Sequence, residues 1–364
     1  MRGFFNTAVK LSLYVVVVAL VLFVCLEIVA RHRLPEYIDD EFYFDQVAFP
    51  KLVNSAAVLD TTHHAYNKKF GYVLSPNASR TFRTSEYTFT AETNSRGFRT
   101  REKEPKRAGE YRILMIGDSM IFGMGVPAEQ TISARLEQFS PALKIYDYSV
   151  IGYNTVQESI VASTYVSDLR PDHVILGLFV ANDIIPNYFS SVDTEGNFTI
   201  QHQAVEDLRS RLRNAHGLLY HSVLFRAVAA DFVIPRWRYL ISRDEEIIEG
   251  TFRALRQIDS VARQFGSTFS VVLLYPRDAV EGGLVAFWSG SRAAGNAVAD
   301  YLAGQHMEHL DILDVMSGIE ARRQFFFQVD GHFNGEGNEV VAQAIYERLI
   351  EEELRNRIRD SIPD

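Results

Sequence analysis

The chain opens on an unbroken apolar run from Leu11 to Ala30, LSLYVVVVALVLFVCLEIVA, in which Glu27 is the only charged residue. About 20 residues at 1.5 Å rise match the roughly 30 Å hydrocarbon core of a bilayer, so the run predicts a transmembrane helix at residues 11–30. A cleaved signal peptide competes with this reading, because Arg2 and Lys10 place a basic start ahead of the run. The length of the run and the lack of a small-x-small cleavage site after it favour an uncleaved anchor; a buried helix of a soluble domain fits least. Arg2 and Lys10 on one side nearly balance Arg31 and Arg33 on the other, and the free amino terminus tips the topology towards a cytoplasmic tail at residues 1–10.

Beyond the run the patterning changes twice. Residues 31–107 mix acidic and aromatic positions and read as a stalk and lead-in; Tyr87-Thr88-Phe89-Thr90 alternates as a strand does, and Asn94 to Arg99 followed by a charged run through Arg107 predicts a turn and loop. From Tyr111 onward, apolar runs of strand length alternate with stretches of helical period. The runs are Arg112–Ile116, Lys144–Val150, His173–Val180, Phe269–Tyr275 and Leu310–Val315. Strand and helix in alternation predict a parallel five-stranded sheet covered on both faces, a three-layer α/β/α domain over residues 108–364. Asn154 is placed to cap a helix through Leu169, residues 245–265 carry an apolar stripe ended by Gly266, and Asn334 can cap the last helix. Residues 184–243 break the alternation for too long to be an ordinary connection, and read as an insertion forming a lid or subdomain.

Composition narrows the function classes. With 364 residues, 47% apolar, the chain can bury a substantial core, and its net charge of -9 with no basic tract argues against a nucleic-acid partner. Cys25 is the only cysteine and lies in the apolar run, which excludes an intramolecular disulfide and a cysteine-based metal cluster. His306 and His309 have i, i+3 spacing but no third ligand in a recognisable motif, and no cofactor fingerprint is present.

The candidate chemistry is dispersed. Gly117-Asp118-Ser119 follows the run Ile113–Ile116, which puts Ser119 at the carboxyl end of the first strand, the edge at which open α/β sheets bind ligands. Gly117 is expected to permit a tight turn there. A serine hydroxyl needs a base. His332, in the loop Val329-Asp330-Gly331-His332-Phe333-Asn334 before the last helix, is the candidate, and Asp330 can orient its ring and stabilise the imidazolium. Taken alone, the Gly-Asp-Ser triplet is more often a turn without chemistry, and a phosphate-cradling loop would need a Gly-Lys-Ser/Thr ending that is absent.

These residues together resemble the SGNH (GDSL-like) hydrolase superfamily, with its four blocks in order from about Arg112 to Arg355, and the lead-in at residues 94–99 resembles that of membrane-anchored bacterial members. The resemblance implies a flavodoxin-like α/β/α fold, Ser119 as nucleophile and backbone oxyanion donor, Gly152 as a second backbone donor, the Asn182 amide as the third, and His332 as the base with Asp330 as the carboxylate that orients it. Two departures stand out. Val180 occupies the usual glycine of the third block, and the fourth reads Asp-x-His instead of having Asp three residues before His, a spacing also similar to that of polysaccharide O-acetyltransferases.

The expected function is an esterase or deacylase forming an acyl-serine on acylated glycans or lipids outside the cytoplasm, tethered to the bilayer through residues 11–30. An envelope polysaccharide O-acyltransferase, which would need a membrane acyl-donor partner, and a non-catalytic anchored scaffold are the alternatives.

Overall fold

The computed structural model describes residues 2–39, 43, 64–181, 183–283, 290–319 and 322–360. They fall into two compact units: Met1–Leu52 with Val205–Pro235, and Val53–Ala204 with Arg236–Asp364. The middle of the insertion thus clusters with the N-terminal segment and not with the sheet.

In the first unit the apolar run lies within one helix, Arg2–Arg33, which extends beyond the run at both ends. Its stretch Ser12–Arg33 is long and apolar enough to cross a membrane, with mean hydropathy 3.0. Side chains from Ser12 to Val29 are exposed except at Glu27, and Ala30 is buried. Glu27 meets the start of the helix Val223–Ser242.

In the second unit residues 64–92 form two antiparallel hairpins, β1 (His64–Asn67) with β2 (Gly71–Leu74) and β3 (Ser79–Arg83) with β4 (Thr88–Glu92). Four strands there replace the single one predicted at residues 87–90. The sheet follows: β5 (Tyr111–Gly117), β6 (Leu143–Asp147) and β7 (His173–Phe179), then, after a small hairpin of β8 (Ser190–Val192) and β9 (Phe198–Ile200), β10 (Thr268–Leu274) and β11 (Glu308–Asp311). The five strands are parallel in the order β11-β10-β7-β5-β6. Every residue of β5 and β7 is buried, as a parallel sheet covered on both faces requires. The chain winds outward in both directions from β5, so the switch point, where a flavodoxin-like sheet binds its ligand, lies at the carboxyl ends of β5 and β7.

Local chemistry explains most boundaries. The Asn154 side chain accepts from Val156 N (3.1 Å) and Gln157 N (3.2 Å), and Gln157 Oε1 accepts from Asn154 N (3.3 Å), a reciprocal capping box starting the helix Thr155–Leu169. Asp244 caps Glu245–Gln264 and Asn334 caps Gly335–Ile345. Two predicted strands end early for the same kind of reason. Asp147 Oδ1 accepts from Ser149 N at 3.0 Å, ending β6 three residues before Val150. Asp311 Oδ1 accepts from Leu313 N at 2.8 Å, so the run read as a strand over Leu310–Val315 becomes the end of β11 and the helix Ile312–Ser317.

Candidate active site

The site is built at the switch point from the first residues after β5. Gly117 pairs with Gly177 across β5 and β7, and a Cβ at Gly117 would lie 2.6 Å from Ile121 Cγ1, with one at Gly177 closer still. The two glycines therefore let the fully buried Ile121 pack down onto the strand pair. Gly117 has no positive φ, so the glycine is needed for close approach and not for the turn predicted from sequence. With Ile121 seated, Ser119 opens a single helical turn, Ser119–Phe122, whose second amide pairs with Asp118: Met120 N donates to Asp118 Oδ1 at 2.8 Å. Ser119 itself is only 4% exposed.

The base arrives on the loop between the strand-like residues Phe326 and Phe333, which bridge each other. Phe327 N donates to His332 O (2.9 Å) and Gly331 N to Phe327 O (3.1 Å), closing the turn. Gly331 sits at φ 82, a conformation that costs an L-residue about 1–2 kcal/mol. This left-handed step folds Asp330 back onto His332, so the short Asp-x-His spacing still makes the pair: Asp330 Oδ1 contacts His332 Nδ1. His332 Nε2 then lies 2.8 Å from Ser119 Oγ. Serine, imidazole and carboxylate form one hydrogen-bonded line, brought together from positions 213 residues apart.

Hydrogen bonds from the Asp-His loop converge on the β3–β4 hairpin. Tyr87 Oη donates to Asp330 Oδ2 at 2.9 Å, and the Glu86 carboxylate accepts from Gln328 N (2.6 Å), Val329 N (2.8 Å) and Asp330 N (2.7 Å). The Tyr87 ring packs 4.8 Å from Phe327. Burial alone would raise the Asp330 carboxyl, but the hydrogen bond and charge of His332, with the Tyr87 hydroxyl, hold it below its ordinary value, so it stays an anion.

The same lead-in segment holds the other two loops. Arg99 donates to Phe122 O (3.0 Å), Gly123 O (2.9 Å) and Val126 O (2.8 Å), fastening the chain just after Ser119, and lies over the rings of Phe89 and Phe122. Burial lowers its guanidinium to about 10, so it remains a cation at neutral pH. Tyr72 Oη donates to Ile151 O at 2.9 Å, and Tyr153 Oη donates back to Tyr72 O. These clamp the loop carrying Gly152, which is exposed at φ 80. Tyr148 N to Met115 O (2.8 Å) and Val150 N to Gly117 O (3.1 Å) run that loop alongside the end of β5. Asn182 lies outside the described residues; its neighbour Asp183 accepts from Phe179 N at 2.8 Å and ties the end of β7 to the following helix.

Under the site, Asp147 is fully buried, and desolvation raises its carboxyl to about 6 against hydrogen bonds from Ser149 and Ser133 and the charge of Arg99. Glu158 is also buried, with neither carboxyl oxygen hydrogen-bonded among the described residues. Desolvation and the nearby Asp183 and Asp118 push it well above its ordinary value. His309, whose spacing from His306 lacked a third ligand, has Nδ1 3.1 Å from Met307 O.

Sequence reasoning brought forward Ser119, Asp330 and His332, which the fold joins. It missed Glu86, Tyr87, Arg99 and Tyr72 as parts of the site. Only the Asn94–Arg99 turn carried a signal, through its likeness to the lead-in of anchored proteins.

No protein-family model matches the chain, and no curated protein matches it. Solved structures do. A lipolytic protein of the G-D-S-L family from Veillonella parvula is 12% identical, covers 65% of this chain and 97% of its own, and superposes with a TM-score of 0.40. A lipase/acylhydrolase from Enterococcus faecalis is 13% identical over 66% and 96%, at 0.40. The Clostridium thermocellum family 3 carbohydrate esterase is 14% identical over 68% and 98%, at 0.39. At such values the likeness is one of general outline, and the case for chemistry rests on the Ser119–His332–Asp330 line and the switch point that presents it.

Proposed function

We propose that the chain is a serine ester hydrolase of the SGNH kind, acting through an acyl-serine on acylated glycans or lipids. The observation that carries it is Ser119 Oγ at 2.8 Å from His332 Nε2, with Nδ1 of the same ring on Asp330. His332 takes the Ser119 proton as Oγ attacks the ester carbonyl, and Asp330 stabilises the imidazolium that forms. The oxyanion is received by the Ser119 and Gly152 backbone N–H groups and by the Asn182 amide, all three assigned by the superfamily resemblance. The imidazolium returns its proton to the leaving alcohol. Water, deprotonated by His332, then attacks the acyl-serine and releases the acid with Ser119 restored.

The N-terminal helix, with mean hydropathy 3.0 over its apolar window, supports a membrane anchor, and the hydrolase domain is placed outside the cytoplasm from the free amino terminus and the near-balanced flanking charges alone. A reporter fused after Asp364 checks the topology, and activity confined to the cytoplasm would reverse it. The chemistry is tested by fluorophosphonate labelling of the purified chain. Wild type should label, Ser119→Ala should not, and His332→Ala should label far more slowly. Labelling that persists in Ser119→Ala would remove Ser119 as nucleophile. Acetyl appearing on an added glycan acceptor, with free acetate falling correspondingly, would assign the second half-reaction to transfer instead of hydrolysis.

A further inference from the structure

Glu27 stands near the end of an otherwise uncharged apolar run, where a carboxylate facing lipid would be costly. It is not left to lipid. Its carboxylate accepts from Ser222 Oγ (2.8 Å), Val223 N (2.9 Å) and Leu224 N (3.1 Å), the start of the helix Val223–Ser242. An anion at a helix N-terminus satisfies amides that have no partner within the helix. Arg31 Nε pairs with the same carboxylate at 2.8 Å, and Arg31 also donates to His221 O at 2.8 Å.

A second set of bonds fixes the chain where it leaves the N-terminal helix. Arg226, 3% exposed, donates to Tyr220 O (2.5 Å), Tyr37 O (2.9 Å) and Ile38 O (3.2 Å), and its guanidinium lies between the rings of Tyr43 (5.0 Å) and Tyr220 (4.5 Å). Ser222 to Leu224 are thus tied to Glu27 and His221 to Arg31, at the end of the apolar run, while Arg226 ties the same segment to the chain just beyond it. Glu27 is three residues short of Ala30, about 4.5 Å inside the end of the run at 1.5 Å per residue. Ser222, bonded to it, sits at the same depth. The short helical turn Gly217–His221 adjoins Ser222, and it points two leucines outward: Leu218 is 93% exposed and Leu219 50%.

We propose that Leu218 and Leu219 enter the boundary between acyl chains and headgroups of the bilayer that the N-terminal helix crosses, giving the Val205–Pro235 segment its own contact with lipid. The inference rests on the anchor reading above. The occupant is a lipid surface because the leucines are fixed, through Glu27 and Arg31, to the last turns of the span itself. It also gives the N-terminal helix a structural role after insertion, since cleavage behind the run would leave the N-terminus at Val223 without its acceptor.

The test uses the full chain with Cys25→Ser, carrying single cysteines labelled with an environment-sensitive nitrobenzoxadiazole dye, in phosphatidylethanolamine/phosphatidylglycerol vesicles. The labelled sites are Leu218→Cys, Val18→Cys inside the span, and Glu195→Cys on the β8–β9 turn. The proposal expects the label at position 218 to emit to the blue of the label at 195, and to lose most of its emission to lipids spin-labelled high on the acyl chain but little to iodide. If 218 behaves like 195 while 18 is lipid-shielded, the anchor stands and the leucine contact is overturned. Shielding of 218 from both quenchers would put a protein surface there and overturn it equally. If 18 is itself open to iodide, the anchor reading fails and takes this inference with it.

Discussion

Tyr87 Oη donates to Asp330 Oδ2 at 2.9 Å, joining the β3–β4 hairpin to a loop 243 residues further along the chain. One carboxylate oxygen faces His332 and the other faces Tyr87, so the hydroxyl decides how the carboxylate is turned towards the imidazole. Tyr87→Phe keeps the ring packing on Phe327 and removes only that donor. A hydrogen bond to an anion is worth about 1.5 kcal/mol or more, so kcat/KM on an acetyl ester should fall about tenfold with little change in melting temperature. The acid limb of the pH profile should also move to higher pH, because Tyr87 helps hold the Asp330 carboxyl down. An unchanged limb would make Tyr87 a packing residue only.

Arg99 is the fastener of the loop after Ser119. Arg99→Met keeps much of the stem but gives up three carbonyl partners in a buried place, a loss of about 3 kcal/mol or more. Thermal unfolding should shift down by several degrees and activity should fall with it. Full activity with a lowered melting point would show that the Ser119 turn holds its shape without Arg99.

Gly117 is placed by packing against Ile121. Gly117→Ala should cost about 1–3 kcal/mol through overpacking and displace Ser119. Trimming the neighbour in the double variant Gly117→Ala/Ile121→Ala should recover activity relative to Gly117→Ala alone. No recovery would mean that the close contact with Ile121 is not what selects glycine.

Asp147 gives a pH signature of stability. Its folded carboxyl titrates at about 6, above the ordinary value of 3.8, so the folded chain binds the proton more tightly than the unfolded chain between those values. Stability from this group is therefore lost as pH rises through that window, by about 3 kcal/mol once pH exceeds 6. Against Asp147→Asn, which cannot ionise, the wild type should lose several degrees of melting temperature between pH 4 and pH 7. A difference between the two proteins that does not vary with pH would contradict the raised value.

What the chain alone disclosed follows the range of the interactions involved. The helix caps at Asn154 and Asn334 and the placement of Ser119 after β5 are local matters of a few residues, and they read directly. The pairing of Asp330 with His332 was legible as a motif, but its geometry depends on the left-handed step at Gly331. Glu86, Tyr87, Arg99 and Tyr72 could not be read, because their bonds join a segment resembling a stalk to loops far along the chain, which no local spacing discloses. Glu27 looked like a stray charge at the edge of an apolar run; its reason is a helix start almost two hundred residues away. Strand ends at Asp147 and Asp311 were overrun for a simpler cause, since an aspartate turning back on the backbone outweighs the apolar residues after it.

The central claim is that Ser119 becomes acylated by His332-assisted attack. The direct measurement is rapid-quench reaction of the full chain with p-nitrophenyl acetate, with mass spectrometry of the peptide bearing Ser119. A burst of p-nitrophenol together with acetyl on Ser119 in wild type, both lost in Ser119→Ala and the burst strongly slowed in His332→Ala, is the predicted result. Hydrolysis that proceeds without acetyl on Ser119, or that survives Ser119→Ala, would contradict it.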